Sequence, residues 1–167
     1  IMIPTDTGWK TSNGHIRYSE LYHGEVYDAR LAHPDWCLAN ADVDNWCSIV
    51  VLDSQKTKLI AQQNEPVRRK QELKPIDVII TPSQETVLDF GQNMVGWVKF
   101  EIDAPAGTEI VLHHAEVLDK EGNFYTENLR SARQEIRYIC KGAGHEIYEP
   151  HFTFQGFRYV RVTGYPG

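Results

Sequence analysis

Asp44, Asn45 and Asn93 are the side chains whose types could hold a hard cation. Calcium takes several oxygen ligands and mixes carboxylates, amide oxygens, main-chain carbonyls and water. Asp44 offers charge, Asn45 and Asn93 offer neutral oxygens, and a backbone carbonyl near Val98 closes such a set. With so few carboxylates the affinity is modest and neighbouring positions stay open. Those positions suit a vicinal diol, which replaces water pairwise. The same residues have a plainer use. Asp44 and Asn45 also suit a turn ahead of Trp46, with Asx side chains bonding the local backbone. Spacing alone favours the turn, because Asp42-Val43-Asp44-Asn45 is not a self-contained calcium loop.

Other chemistries find less in the chain. Glu20, Glu25, Asp28, Glu116, Glu127 and Glu135 are candidate carboxylates, and a glycosidase needs two that face each other across the sugar. Linear spacing shows no such pair; Asp28 with Arg30 and Glu116 with Arg130 read as ion pairs instead. His113 and His114 are adjacent and so point to opposite faces of a strand, which makes them a poor metal pair. His151, between strand-like apolar residues, reads as a structural histidine. There is no GxSxG and no phosphate loop. Trp36, Trp46, Trp97, Tyr125 and Phe157 are candidates for stacking on sugar rings; Trp46 and Trp97 are expected inside, with Trp36 the more open one. Cys37, Cys47 and Cys140 fit neither a zinc pattern nor a disulfide framework and read as three buried free thiols, with a Cys37–Cys47 bridge the alternative.

The elements that position these residues are strands. Runs at 15–30 (broken near Gly24), 48–52, 59–61, 76–80, 86–90, 95–102, 108–117, 134–140, 146–154 and 157–162 alternate or carry β-branched and aromatic residues. Gly, Pro and Asx clusters separate them, as at Pro105-Ala106-Gly107 and at 119–123. Residues 32–46 form a long loop between Trp36 and Trp46. Residues 89–100 read as two strand runs around a polar corner bounded by Gly91 and Gly96, which displays Gln92 and Asn93. No long amphipathic helix and no internal repeat is visible. The pattern predicts an all-β chain, a jelly-roll β-sandwich of galactose-binding-like or lectin-like type, over 1–167 as a single domain with 1–14 as entry segment.

The chain has 167 residues and a formal net charge of −6. That balance disfavours nucleic acid and anionic membrane as partners and is compatible with a cation or a neutral ligand. No apolar run approaches the roughly 18 residues of a transmembrane helix. The opening Ile1-Met2-Ile3-Pro4 has no signal pattern, and both ends read as cut from a longer polypeptide.

Several motifs in order carry a resemblance. They are Tyr27-Asp28-Ala29-Arg30, Asp44-Asn45-Trp46, the stretch from Asp89 to Trp97 (DFGQNMVGW), His114-Ala115-Glu116-Val117-Leu118, the stretch from Gly122 to Arg130 (GNFYTENLR), and the stretch from Phe154 to Val160 (FQGFRYV). This order resembles the non-catalytic N-terminal region of bacterial α-L-rhamnosidases, from about Tyr18 to Gly164. The resemblance implies a β-jelly-roll module placed before a catalytic (α/α)6 barrel of the same chain, which is expected downstream. It further implies a calcium-dependent module for L-rhamnose. Asp44, Asn45, Asn93 and the main-chain carbonyl of Val98 would hold Ca²⁺. Asp44, Asn45, Asn93 and Trp36 would meet the sugar. The partner would be L-rhamnose or terminal rhamnosyl residues of plant polysaccharides and glycosides. The parent would be an inverting glycoside hydrolase with its two carboxylates outside this stretch, so no catalytic residue is expected here. Polysaccharide use implies a periplasmic or extracellular location.

Overall fold

The computed structural model describes residues 4–52 and 57–166. Among the described residues eleven strands run β1 (Lys10–Thr11), β2 (Ile16–Glu20), β3 (Gly24–Asp28), β4 (Cys47–Ser48), β5 (Asp77–Ile80), β6 (Thr86–Gly96), β7 (Phe100–Asp103), β8 (Glu109–Ala115), β9 (Glu135–Ile139), β10 (His145–Tyr148) and β11 (Gln155–Thr163). The only helical turns among the described residues are 3₁₀ turns at Ala29–Leu31 and Glu127–Leu129. The chain is all-β, as expected. It divides into two compact units, one of Ile1–Asn13 with Pro34–Glu72 and one of Gly14–His33 with Leu73–Gly167. The sequence expectation was one sandwich over 1–167.

The second unit holds the sandwich. Seven strands form a sheet in the order β2-β3-β9-β8-β11-β6-β5. Every pair in it is antiparallel except β3 with β9, so the sheet is mixed. β7 and β10 pair as a separate two-stranded sheet. Period-2 alternation explains the layering. In β8 it buries Ile110, Leu112 and His114, and in β9 Ile136 and Tyr138. Ile102 of β7 and Tyr148 of β10 join these residues in one core with Phe157 and Val160.

Two buried carboxylates tie the layers. The Tyr148 hydroxyl donates to Glu25 Oε1 of β3 (2.8 Å) and the Tyr138 hydroxyl to Glu146 Oε2 of β10 (2.8 Å). Burial first, and then these carboxylates, push both phenols far above their ordinary range. Burial of the charged form alone would raise Glu146. The N–H groups of Lys141 and Gly142, each 2.9 Å from its carboxylate, and the Tyr138 hydroxyl hold it below the usual range instead.

The corner expected at 91–96 is not a break between strands. β6 is continuous from Thr86 to Gly96, and its neighbour β11 pairs with it on both sides of the corner. Asp89 faces Tyr159 and Met94 faces Phe157, so residues 90–93 stand against the single Arg158. This is a β-bulge of the larger, special kind, with more than the usual two residues against one. Gly91 takes φ +79° within it, a conformation that suits glycine. A strand on each side of the glycine had read as two runs because pairing with β11 is invisible in a linear pattern.

In the first unit, β1 and β4 pair over two residues, Lys10 with Ser48 and Thr11 with Cys47. The buried strand expected at 48–52 is not formed: Val50, Val51 and Leu52 are exposed. Nor is a strand formed at 59–61, where Leu59 and Ile60 are exposed. The β1 edge is too short to template either run. Cys37 and Cys47 are exposed free thiols, contrary to expectation, and Cys140 alone is buried. His151 is exposed rather than set into the core, because β10 ends at Tyr148 and leaves it in a bend.

Candidate functional site

Asn93 lies on the β6 bulge, exposed to solvent. Its Nδ2 donates to Glu116 Oε1 at 3.2 Å. Glu116 follows the last residue of β8, and its other oxygen accepts from Asn128 Nδ2 at 3.3 Å. The pairing of Glu116 with Arg130 expected from sequence is replaced by these two amides. The chain reverses just before Arg130, whose φ is +57°, and Asn128 is the residue brought back to Glu116. Holding Asn93 by its nitrogen leaves its amide oxygen without a protein donor among the described residues.

The bulge itself is fixed from below. Arg158 reaches across to Asp89 with Nε and Nη2, each 2.8 Å from a carboxylate oxygen. Asp89 Oδ1 also accepts from Gly91 N at 2.7 Å. The Arg158 guanidinium, followed by the Gly91 N–H, holds the Asp89 carboxyl below the usual carboxylate range against the opposing effect of burial. Neither residue was singled out from sequence. An acidic residue two before a glycine, with an arginine on the facing strand, is a signal only once the strand pairing is known.

Past the bulge, Trp97 is half-buried and donates from Nε1 to Glu149 Oε2 at 3.1 Å. Val98, half-buried, packs against the core. In the other unit Asp44 and Asn45 occupy a turn: Asp44 N donates to Asp42 Oδ1 (3.1 Å) and Trp46 N to Val43 O (3.0 Å). Both side chains are exposed, Trp36 is 58% exposed, and Trp46 is half-buried rather than fully inside. The candidate ligands therefore divide between the units, Asp44 and Asn45 in one, Asn93 and Val98 in the other. As chemistry the set fits calcium: one carboxylate, two amide oxygens and one carbonyl, all hard donors. Among the described residues no group of three His, Cys, Asp or Glu could hold a metal ion.

Of the remaining candidate carboxylates, Asp28, Glu135 and Glu20 have structural partners. Asp28 takes Arg30 through Nε (2.9 Å) and Nη2 (2.8 Å), as expected. Glu135 takes Arg137 (3.0 Å) and His113 Nε2 (3.1 Å). Glu20 accepts from the N–H groups of Tyr22 and His23, both at 2.8 Å. Glu127 opens the second 3₁₀ turn, exposed.

Comparison with known proteins identifies the family of the chain. Residues 79–167, more than half of the chain, match the family model of the bacterial α-L-rhamnosidase concanavalin-like domain. The chain belongs to the bacterial α-L-rhamnosidase family. Residues 1–71 match a second family model, the α-L-rhamnosidase N-terminal domain. Among relatives of this rhamnosidase segment, an α-L-rhamnosidase of Streptomyces avermitilis is 43% identical over 166 residues, covering 99% of this chain and 16% of the relative. One of Formosa agariphila is 36% identical, covering 98% and 18%. The crystal structure of the Streptomyces avermitilis α-L-rhamnosidase complexed with L-rhamnose superposes with a TM-score of 0.91 at 43% identity, covering 99% of this chain and 16% of that one. Native α-L-rhamnosidase from Aspergillus terreus gives 0.91 at 40% identity, covering 98% and 19%. The chain thus spans less than a fifth of the length of these rhamnosidases. Asp44 and Asn45 fall in the stretch matched by the N-terminal model and Asn93 and Val98 in the stretch matched by the concanavalin-like model.

Proposed function

We propose that this segment serves an α-L-rhamnosidase as a non-catalytic module that binds terminal L-rhamnosyl groups through calcium. The observation that carries the reading is the exposed Asn93 on its braced bulge, held by its nitrogen, with its oxygen taking no protein donor among the described residues. Asp44, Asn45, Asn93 and the Val98 carbonyl would hold the ion. Bound there, Ca²⁺ would supply open positions for two neighbouring sugar hydroxyls. Asp44 contributes the charge, and Trp36 offers an exposed aromatic face for the ring. A relative whose structure is complexed with L-rhamnose supports the choice of sugar.

The non-catalytic part of the reading rests on the carboxylates. A glycosidase's general acid is held protonated by a raised pKa. Asp28 is instead held low by Arg30, and Glu20, Glu116 and Glu135 are taken up by backbone N–H groups, by the Asn93 and Asn128 amides and by Arg137. The inverting acid and base would then belong to a barrel elsewhere in the parent chain, and the enzyme would work in the periplasm or outside the cell, where rhamnosyl plant polysaccharides and glycosides are met.

Titration calorimetry tests it. L-rhamnose is expected to release heat with Ca²⁺ present and none with chelator. Asp44→Ala and Asn93→Ala should each abolish the heat while leaving the circular dichroism spectrum unchanged. Equal heat with and without calcium would overturn the mechanism. Hydrolysis of an aryl rhamnoside by the pure chain would overturn the non-catalytic reading.

A second reading is favoured by a different observation. Ile76, Val78 and Ile80 lie on one face at the β5 edge and are 71%, 58% and 59% exposed. Such a stripe suits packing against further parts of the parent enzyme, with no ligand of its own. Absence of any heat with rhamnose, with or without calcium, selects it.

A further inference from the structure

Buried side-chain atoms without a hydrogen-bond partner among the described residues are His23 Nδ1, His113 Nδ1, His114 Nε2, Gln134 Oε1 and Gln155 Oε1. All but His113 belong to residues stitched together at one end of the seven-stranded sheet. Gln134 N donates to Tyr22 O (3.0 Å) and Glu135 N to His23 O (3.1 Å), tying the start of β9 to the turn between β2 and β3. The carbonyl of Gln134 meets both His114 N (3.1 Å) and ring Nδ1 (2.8 Å). The Thr153 hydroxyl donates to Glu20 O (3.1 Å) and accepts from Gln155 Nε2 (2.9 Å). His114 lies edge-on to Phe157 with 4.8 Å between ring centroids, two residues beyond Gln155.

These bonds decide what the unmatched atoms are. His114 Nδ1 faces a carbonyl, so it carries the proton. Full burial, acting against that hydrogen bond, brings its pKa down to about 4, so the ring is neutral at pH 7. Its Nε2 is therefore a bare acceptor. Thr153 has one proton and gives it to Glu20, so it can only accept from Gln155. That places the Gln155 nitrogen on Thr153 and leaves Gln155 Oε1 as a second bare acceptor. The residues are 0% and 2% exposed. Gln134 Oε1 is a third. Buried acceptors in folded proteins are almost always met by a donor.

We infer that this end of the sheet binds O–H donors, the hydroxyls of ordered water or of a polyol such as a sugar. One water brings two protons, so three acceptors call for at least two waters or for one polyol reaching inward. Carboxylates and fully ionised phosphates bring no donor and do not fit. Tyr22 and Phe152, 70% and 69% exposed, neighbour His23 and Thr153 in the chain and offer the flat apolar faces that sugars stack on. The site uses none of Asp44, Asn45 or Asn93, and it stands apart from the calcium reading.

The test is nitrogen NMR on the whole chain labelled with ¹⁵N-histidine. The Nε2 resonance of His114 reports directly whether its lone pair accepts a hydrogen bond. A hydrogen-bonded shift in buffer that L-rhamnose and glycerol leave unmoved supports the proposal with water as the donor. A resonance that moves saturably with either compound supports it with a polyol as the donor. The shift of an unbonded lone pair under both conditions overturns it. Gln155→Met keeps the side-chain length and removes the acceptor together with the donor to Thr153, so the His114 resonance is the readout that isolates the acceptor. A lowered urea midpoint together with a displaced His114 resonance is expected. A raised midpoint with the resonance unmoved would mean that the acceptor was unmet in the native chain, and would also overturn the proposal.

Discussion

Asp89 and Arg158 meet in a two-pronged ion pair at the one place where β6 and β11 lose register, Nε to Oδ1 and Nη2 to Oδ2 both at 2.8 Å. Arg158 is the single residue that faces the bulge, and Asp89 is the residue from which the bulge departs. The planar fork of the guanidinium matches the carboxylate in a way that a lysine does not. Asp89→Asn and Arg158→Lys are therefore both expected to lower the urea midpoint without changing the slope of the transition. The same variants should weaken any ligand that depends on Asn93. Wild-type midpoints in both would show that the pair does not hold the bulge.

Gly91 makes a sharper prediction about the same feature. Its φ of +79° strains any L side chain, and a Cβ placed there would lie 2.9 Å from Ile76 Cδ1. The left-handed backbone alone costs about 1–2 kcal/mol. Gly91→Ala is expected to lose about 2 kcal/mol in chemical denaturation. Adding Ile76→Val should recover the part due to the clash and leave the backbone part. Full recovery in the double variant would mean that φ contributes nothing.

Tyr148 and Glu25 join the small sheet to the large one through a single 2.8 Å hydrogen bond. Glu25 is 1% exposed, and its other partner is the Ser19 hydroxyl at 3.3 Å. Tyr148→Phe strands a buried carboxylate oxygen and should cost about 1–3 kcal/mol. Glu25→Gln in the same chain should lessen that cost, because a neutral amide is cheaper to leave buried than a carboxylate. A double-mutant cycle with no coupling between the two positions would contradict the link.

Acid should unfold the chain in two stages. His114 is held neutral with a pKa of about 4. Its unfolded counterpart takes up a proton near pH 6.5. The unfolded chain therefore binds more protons between these values, and stability falls as pH drops through that window. Asp28, Asp89, Asp119 and Glu146 are all held below their ordinary values in the folded chain. Their contribution is present above the ordinary carboxylate range and is lost below it, as the folded groups are protonated. Urea midpoints measured from pH 7.5 to 3 should show a shallow decline first and a steep one below about pH 4. Asp89→Asn should soften only the steep part.

Much of this architecture is local chemistry and was legible in the chain. The alternation of Ile110, Leu112 and His114 fixes which face of β8 is buried, because side chains in a strand alternate whatever lies beside them. Asp119 and Asn123 close their turn with bonds that span only four residues, Asp119 Oδ1 to Asn123 N at 2.7 Å among them. Asp28 finds Arg30 two residues away. The order of motifs from Tyr27 to Val160 was enough to indicate the family.

What the sequence left open depends on which strand lies beside which. The bulge at 90–93 exists only because β11 pairs on both sides of it, and its braces, Asp89 with Arg158 and Asn93 with Glu116, are 69 and 23 residues apart. The apolar runs at 48–52 and 59–61 had every local mark of strands. They remain unpaired because a strand needs a neighbouring edge, and β1 provides only two residues of one. His114 looked like any histidine in a strand. Only the packing of Phe157 and the carbonyl of Gln134 around it make it a neutral, buried acceptor. Alternation and short-range bonds settled the buried faces and the turns, because they act within a few residues; long-range pairing decided which apolar runs become strands and which buried polar atoms are met.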